Sequence, residues 1–500
     1  MAREAGPRAA GTRRAQPRED HPSHRWWVLG VIGLAQLMVV LDATIVNIAL
    51  PSAQQDLGFS DGNRQWIVTA YALAFGSLLL LGGRIADLVG RRVVFLIGLV
   101  GFAGASAIGG AAPSFEVLVL ARALQGMFGA LLAPAALSLL TTTFTVPKER
   151  AKAFGIYGAI AGAGGAVGLL LGGVLTEYLD WRWCLYVNLA FAFLAFVGGW
   201  RLLTAGAPAD RPRLDIPGTL LASAGLFCIV YGFSEAESHA WSSPLTWGFL
   251  VAGAVLVAAF AWWQTRAAHP LLPLRVVLDR DRAASYLAMF ISGGGMFGVF
   301  LFLTYYLQQS LGYSPVSTGL AFLPMVACMI ASSVTTTNVL LLRFGAKPIV
   351  PTGMGIAAAA MVWLTALDLN SSYAAHVLPP LLCLGIGLGA VFATAMNLAT
   401  AGVGPRDAGV ASAMVNTSQQ VGGSIGTALL NTLATTAATN YLVGRRPTPP
   451  VVAQAQLESY ATAYWWSAGF FALGLVVTVF LYRPGAPRPH PVGEPEPARA

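Results

Sequence analysis

Leu41-Asp42-Ala43-Thr44-Ile45-Val46-Asn47-Ile48-Ala49-Leu50-Pro51 sets a carboxylate inside an apolar run that begins at Trp26. At about 1.5 Å per helical residue, Trp26 to Leu50 is long enough to cross a bilayer. A charge at that depth costs roughly 2.5–3.5 kcal/mol on insertion scales. Asp42 has two readings. It serves the movement of something across a membrane, or it pairs with a basic group and fixes helix packing; intramembrane ionisable groups favour the first.

Composition extends this reading to the whole chain. Of 500 residues, 56 % are hydrophobic and only 10 % charged, against about 25 % charged in a soluble domain. The apolar residues fall into repeated runs with short polar breaks, the pattern of an all-α polytopic membrane protein. The net charge of +8 does not point to nucleic acid, because the basic residues gather in loops on one side. Cys184, Cys228, Cys328 and Cys383 lie in or beside predicted spans without metal or redox spacing, and read as small packing residues. No cleavable signal peptide is expected: the first apolar run is too long for one.

The runs give fourteen spans: 26–50, 64–84, 92–112, 115–140, 152–175, 183–204, 216–235, 245–265, 283–309, 314–342, 347–368, 374–402, 406–440 and 461–482. The thirteenth is too long for one crossing and implies a helical extension outside the membrane. With this count, twenty-five of the thirty Lys and Arg fall on the side of the two termini. Arg64, Arg182, Arg445 and Arg446 fall on the other, and Arg122 lies within a span. The positive-inside rule then predicts both termini in the cytoplasm. Residues 1–25 and 483–500 read as disordered cytoplasmic tails. Between them come six-span units at 26–204 and 283–482, with 205–282 as a linker carrying two extra spans. Asp87-Leu88-Val89-Gly90-Arg91-Arg92 and Arg343-Phe344-Gly345-Ala346-Lys347 occupy matching loops of the two units, a faint sign of the parallel repeats from which many secondary transporters are built.

Gly83-Arg84-Ile85-Ala86-Asp87-Leu88-Val89-Gly90-Arg91-Arg92 is the most specific motif. Gly83 permits close helix approach and Gly90 a tight turn. Asp87 sits at a helix C-terminus, where the dipole disfavours it, so it needs a basic partner or a helix N-terminus nearby. The alternative is an ordinary loop with positive-inside arginines. Arg122 in Leu120-Ala121-Arg122-Ala123-Leu124-Gln125-Gly126 is the second intramembrane charge. It lies roughly 10 Å below the outer end of its span, and Asp42 roughly 12 Å below its own. Opposite charges at matching depth fit a switchable pair and equally a permanent structural one. Gly158, Gly162, Gly164, Gly165, Gly168, Gly172 and Gly173 give the fifth span a small-residue face for close packing. Asn47, Gln125, Tyr305, Tyr306, Gln308, Gln309, Asn397, Asn416, Gln419 and Gln420 are polar candidates that either line a cavity or bond helices together. No phosphate-binding loop appears, and neither nucleophile–base nor metal-ligand spacing stands out, so ATP-driven and hydrolytic chemistry are not expected.

These residues together resemble the major facilitator superfamily, and within it the fourteen-span branch of drug:proton antiporters, over about residues 26–482. The resemblance rests on Asp42, Thr44, Asn47 and Pro51 in the first span and on Gly83 to Arg92 in the loop. It rests also on Arg122, Gln125 and Gly126 in the fourth span, and on Gly164, Gly168, Gly172 and Gly173 in the fifth. Leu169 stands where the fifth-span motif usually has proline. Trp181-Arg182-Trp183 with Asn188, and Tyr305 to Pro324, also look like this branch. The resemblance implies a major facilitator fold of two six-helix bundles plus two central helices, and proton-driven export of small amphipathic drugs or antibiotics. It implies proton coupling through Asp42 and Arg122, and gating through Asp87 and Arg91. The expected setting is a bacterial cytoplasmic membrane, with protons and lipid as partners, no nucleic acid, no cofactor and a monomer as the working unit. An exporter or symporter dedicated to one metabolite or nutrient, and a non-transporting scaffold, are the competing classes.

Overall fold

The computed structural model describes residues 22–59, 61–204, 215–239, 241, 243–268, 270–404 and 407–484. The expected tails therefore fall largely outside the described residues, although 22–25 are already helix rather than tail. Fourteen long helices are present among the described residues. The first eight are α1 (Pro22–Leu57), α2 (Asp61–Val89), α3 (Arg91–Gly110), α4 (Phe115–Thr143), α5 (Pro147–Tyr178), α6 (Trp183–Leu202), α7 (Ile216–His239) and α8 (Pro244–Gln264). After the single-turn α9 (Leu274–Val277) come α10 (Arg280–Tyr305), α11 (Pro315–Thr335), α12 (Leu341–Phe344), α13 (Ala346–Leu364), α14 (Leu378–Thr400), α15 (Ala408–Leu442) and α16 (Pro449–Leu481). Wide π turns extend α10 and join α11 to α12.

Thirteen of these helices are long and apolar enough to cross a membrane. The fourteenth, α15, is diluted by Ser, Thr, Asn and Gln, and it turns Ser412, Asn416, Thr417 and Ser418 inward. The first helix runs past the expected stop at Pro51 to Leu57. A proline removes one backbone bond, which a membrane helix tolerates.

The faint repeat in the sequence becomes plain in the packing. In the first half α2 packs on α4, α3 on α4, α1 on α5, α3 on α6 and α1 on α6. In the second half α11 packs on α14, α13 on α14, α10 on α15, α13 on α16 and α10 on α16. These are the same five pairings, helix for helix. The seam between the halves repeats as well: α5 packs on α11 and α14, while α15 packs on α2 and α4. The loops that carried the sequence repeat both turn on a glycine with positive φ, 109° at Gly90 and 72° at Gly345. A side chain there is strained, which is why the two loops share that residue.

The hairpin of α7 and α8 stands apart from this symmetry. It packs through α7 on α2 and α15, while α8 leaves Leu245, Trp247, Val251, Val255 and Trp262 exposed. An apolar, exposed helix is at home against lipid chains.

Candidate functional site

Asp42 is fully buried, and its partners all lie in the first half. Its Oδ2 accepts from Arg122 Nη1 at 2.5 Å. Its Oδ1 accepts from Gln125 Nε2 at 2.9 Å and from Asn188 Nδ2 at 2.7 Å. Four helices thus meet at one carboxylate through α1, α4, α6 and, behind them, α3. Ser106 Oγ on α3 accepts from Gln125 at 2.7 Å and from Asn188 at 3.3 Å. Arg122, 1 % exposed, also donates Nη1 to Gln125 Oε1 at 2.9 Å and Nε to the Ile67 carbonyl at 3.2 Å. Its guanidinium lies 4.5 Å from the centre of the Tyr71 ring. A buried ion pair survives only when further hydrogen bonds satisfy its remaining lone pairs and protons. The amides of Gln125 and Asn188 do that here. Asn188 Oδ1 is buried without a hydrogen-bond partner among the described residues.

Small residues hold this cluster against α5. A Cβ on Gly164 would meet Val40, one on Gly168 would sit 2.0 Å from Thr44 Oγ1, and one on Gly172 would meet Ile45. The expected small-residue face is therefore the face α5 lays on α1, on both sides of Asp42. Gly173 is buried next to it. The helix continues unbroken through Leu169. Gly155, Gly158 and Gly165 instead approach Thr337, Met396 and Phe300 of the second half. α5 is thus the layer between the charge cluster and the seam.

The loop motif is a second cluster. Asp87 Oδ1 accepts from Arg91 at 3.1 Å. Arg92 donates to the Trp200 carbonyl at 2.8 Å and stacks on its ring, tying α3 to the end of α6. Gly83 is buried, and beside it Gly82 lies so close to the Ala130 carbonyl of α4 that no Cβ fits. At the same end of the molecule Arg150 Nη2 donates to the Thr400 carbonyl at 2.7 Å, a bond between the halves.

The polar cavity candidates are scattered. Gln125 belongs to the Asp42 cluster and not to a cavity, because its amide is used up by Asp42, Arg122 and Ser106. Gln309 is exposed and accepts from Tyr460 at 3.2 Å. Tyr305 is half-buried, as are Asn397 and Gln420. Asn416 is buried and donates to its own helix at Ser412 O, 3.0 Å. The side chain of Asn47 lies outside the described residues. Two polar centres were missed by sequence reasoning. Ser106 and Asn188 are uncharged residues in apolar helices, and only the Trp-Arg-Trp…Asn spacing marked the second. Asp215 sits at the start of α7 and accepts from Gly218 N, Trp263 Nε1, Gln264 Nε2 and Leu271 N at 2.8–3.2 Å, locking the α7–α8 hairpin at its base. Among the described residues no group of His, Cys, Asp and Glu is placed to hold a metal.

The family model described as Major Facilitator Superfamily matches residues 32–427. The chain belongs to the Major Facilitator Superfamily. It is a multi-pass membrane transporter and not an enzyme. It is 52 % identical over 456 residues to the puromycin resistance protein pur8 of Streptomyces alboniger, covering 91 % of this chain and 90 % of that one. It is 40 % identical over 402 residues to the cephamycin export protein CmcT of Amycolatopsis lactamdurans, covering 80 % and 83 %. The crystal structure of the human organic anion transporter MFSD10 (TETRAN) superimposes with a TM-score of 0.64 over 92 % of this chain and all of that one. The identity is 16 %, so it speaks for the major facilitator fold alone.

Proposed function

We propose that this protein is a proton-coupled antiporter that exports small antibiotics across a bacterial cytoplasmic membrane by alternating access. The observation that carries the reading is the sealed Asp42–Arg122 pair. A carboxylate bonded at once to a cation and to two neutral amides has two workable states. Ionised, it neutralises Arg122. Protonated, it keeps its neutral partners Gln125 and Asn188, while Arg122 is left without its counter-ion. That imbalance is a force that a bundle can relieve by moving. The names of the relatives, puromycin resistance and cephamycin export, support small antibiotics as cargo.

In this reading the units 26–204 and 283–482 rock about the seam formed by α5, α11, α14, α15, α2 and α4, with 205–282 as linker. Gly83, Asp87, Gly90, Arg91 and Arg92 gate the face that bears the termini, and Gly164, Gly168, Gly172 and Gly173 form the surface on which α1 and α5 stay packed. Cargo passes between the halves, where Tyr305, Asn397, Asn416 and Gln420 are candidates to meet it. The basic loops support a cytoplasmic position for both termini. One chain holds the whole cluster, so a monomer suffices, and the proton gradient takes the place of a cofactor.

The test is puromycin accumulation in cells expressing the wild type or Asp42→Asn, with and without a protonophore. The reading expects exclusion by the wild type, abolished by the substitution and by the protonophore alike. Equal accumulation by both proteins at normal expression refutes it.

A further inference from the structure

The first bundle holds a small cavity against Arg122, the basic member of the charged pair. Val46, Ala53, Ile67, Leu118, Trp181 and Leu185 line it together with Arg122, its one charged wall. Its volume of about 10 Å³ is near the least that takes one water. The sequence spacing shows how it is stacked. Val46 follows Asp42 by four residues, Ile67 precedes Tyr71 by four, Leu118 precedes Arg122 by four, and Leu185 precedes Asn188 by three. Residues three and four apart share a helix face. Four helices thus each place one apolar side chain a turn beyond a member of the polar cluster.

Trp181 also lines the cavity, and Trp181 is held by a surface latch. Its indole Nε1 donates to Asp56 Oδ2 at 3.2 Å. Arg182 Nη1 donates to the same oxygen at 2.5 Å, and Nη2 donates to the Ala112 carbonyl at 3.3 Å. The Arg182 guanidinium lies 4.5 Å from the centre of the Trp181 ring. Asp56 and Arg182 are 47 % and 29 % exposed at their side chains, so the latch meets water. Asp180 is a second, longer partner of Arg182 at 3.8 Å. The hydrogen bond from Arg182, then that from Trp181, holds the Asp56 carboxyl below its usual range.

We propose that this column is the proton's route to Asp42: from the Asp56–Arg182–Trp181 latch, through the apolar cavity, to the carboxylate, apart from the cargo's route between the halves. The inference rests on the proton-coupled reading above. A hydronium ion at the latch gives its proton to water entering the cavity, and that proton binds a lone pair of Asp42. The hydronium becomes water, the carboxylate becomes a carboxylic acid, and Arg122 loses its counter-ion. At rest the apolar lining keeps the cavity dry and stops leakage, as hydrophobic constrictions do in channels.

The experiment uses the full chain in liposomes with puromycin as probe. Two rates are compared: counterflow of labelled against unlabelled puromycin, which needs no net proton movement, and transport driven by a pH gradient. Ala53→Val fills the cavity. Val46→Thr keeps its size and gives it a hydroxyl that can hold water. Ala53→Val is expected to keep counterflow within about twofold and to lower gradient-driven transport about tenfold; Val46→Thr is expected to keep counterflow and raise the proton leak severalfold. Gradient-driven transport that tracks counterflow in Ala53→Val, with an unchanged leak in Val46→Thr, overturns the inference. Should Ala53→Val fail to fold, counterflow reveals it, and the leak of the nearly isosteric Val46→Thr decides alone. A wild type that exchanges puromycin yet ignores a pH gradient overturns the proton-coupled reading itself, and this inference with it.

Discussion

Asp42→Asn leaves the Arg122 guanidinium, 1 % exposed, without its counter-ion. The substitution keeps the shape of the side chain, so the loss is mainly electrostatic. Removing one partner of a buried pair costs about 3–5 kcal/mol, because the other charge stays buried and unpaired. Arg122→Gln strands the carboxylate in the same way, although Gln125 and Asn188 still donate to it. The double variant Asp42→Asn/Arg122→Gln has no net charge in the cluster, and neutral amides can bond to one another. The two single losses should therefore not add: the double variant should unfold at a higher temperature than either single one. The assay is thermal unfolding of detergent-solubilised protein by tryptophan fluorescence at fixed pH. Additive single losses, with the double variant least stable, would refute the claim that the two charges are coupled inside the bundle.

Further outcomes follow from other contacts. Gly168→Val would drive a side chain into Thr44 Oγ1 and the Leu41 carbonyl; transport should fall below detection while a surface control such as Thr352→Ala stays active in the same uptake assay. Gly345→Ala puts a Cβ at φ 72°, ψ −178°, a region open essentially to glycine, and should cost about 1–3 kcal/mol in unfolding measurements. At Asp215 burial pushes the carboxyl up, and the hydrogen bonds from Gln264, Trp263, Gly218 and Leu271 outweigh it and hold the group below its usual range. A carboxylate with a lowered folded value contributes stability above the unfolded value of about 3.9 and loses it as pH falls through the folded value. Asp215→Asn should therefore lower the unfolding temperature at neutral pH, with the difference from wild type closing below about pH 4. Arg150→Ala removes the bond to Thr400 across the seam and should raise thiol labelling of a cysteine placed at Thr400.

Some of this was legible in the residues and some was not, for physical reasons. Asp42 and Arg122 announce themselves because a charge in an apolar run is costly, and their matching depth is readable from helical rise alone. The glycines of α5 are legible because their spacing of four residues has one geometric meaning. Ser106 completes the cluster and is silent in sequence, and Asn188 is marked there only by its spacing from Trp181-Arg182-Trp183, since uncharged polar residues enter membrane helices at little cost. Gln125 was legible as a polar intramembrane residue, but whether it faced a cavity or the carboxylate depended on how α4 rotates toward α1. Asp56 and Arg182 stand in the regions where charge is ordinary, and only their convergence on Trp181 gives them meaning. The fourteen-span topology followed from span count and loop charge, and the major facilitator fold from the resemblance of the motifs. The full repeat did not, because it lives in which helices pack together, and the two halves share few side chains beyond the glycine turns at Gly90 and Gly345.

The most direct test of the central claim is the movement of protons itself. Purified protein is placed in liposomes containing a pH-sensitive dye, and a puromycin gradient is imposed without any preset pH difference. The account predicts a proton flux opposite to the puromycin flux in the wild type and none in Asp42→Asn. Puromycin movement with no proton movement in the wild type, or an undiminished proton flux in Asp42→Asn, would contradict it.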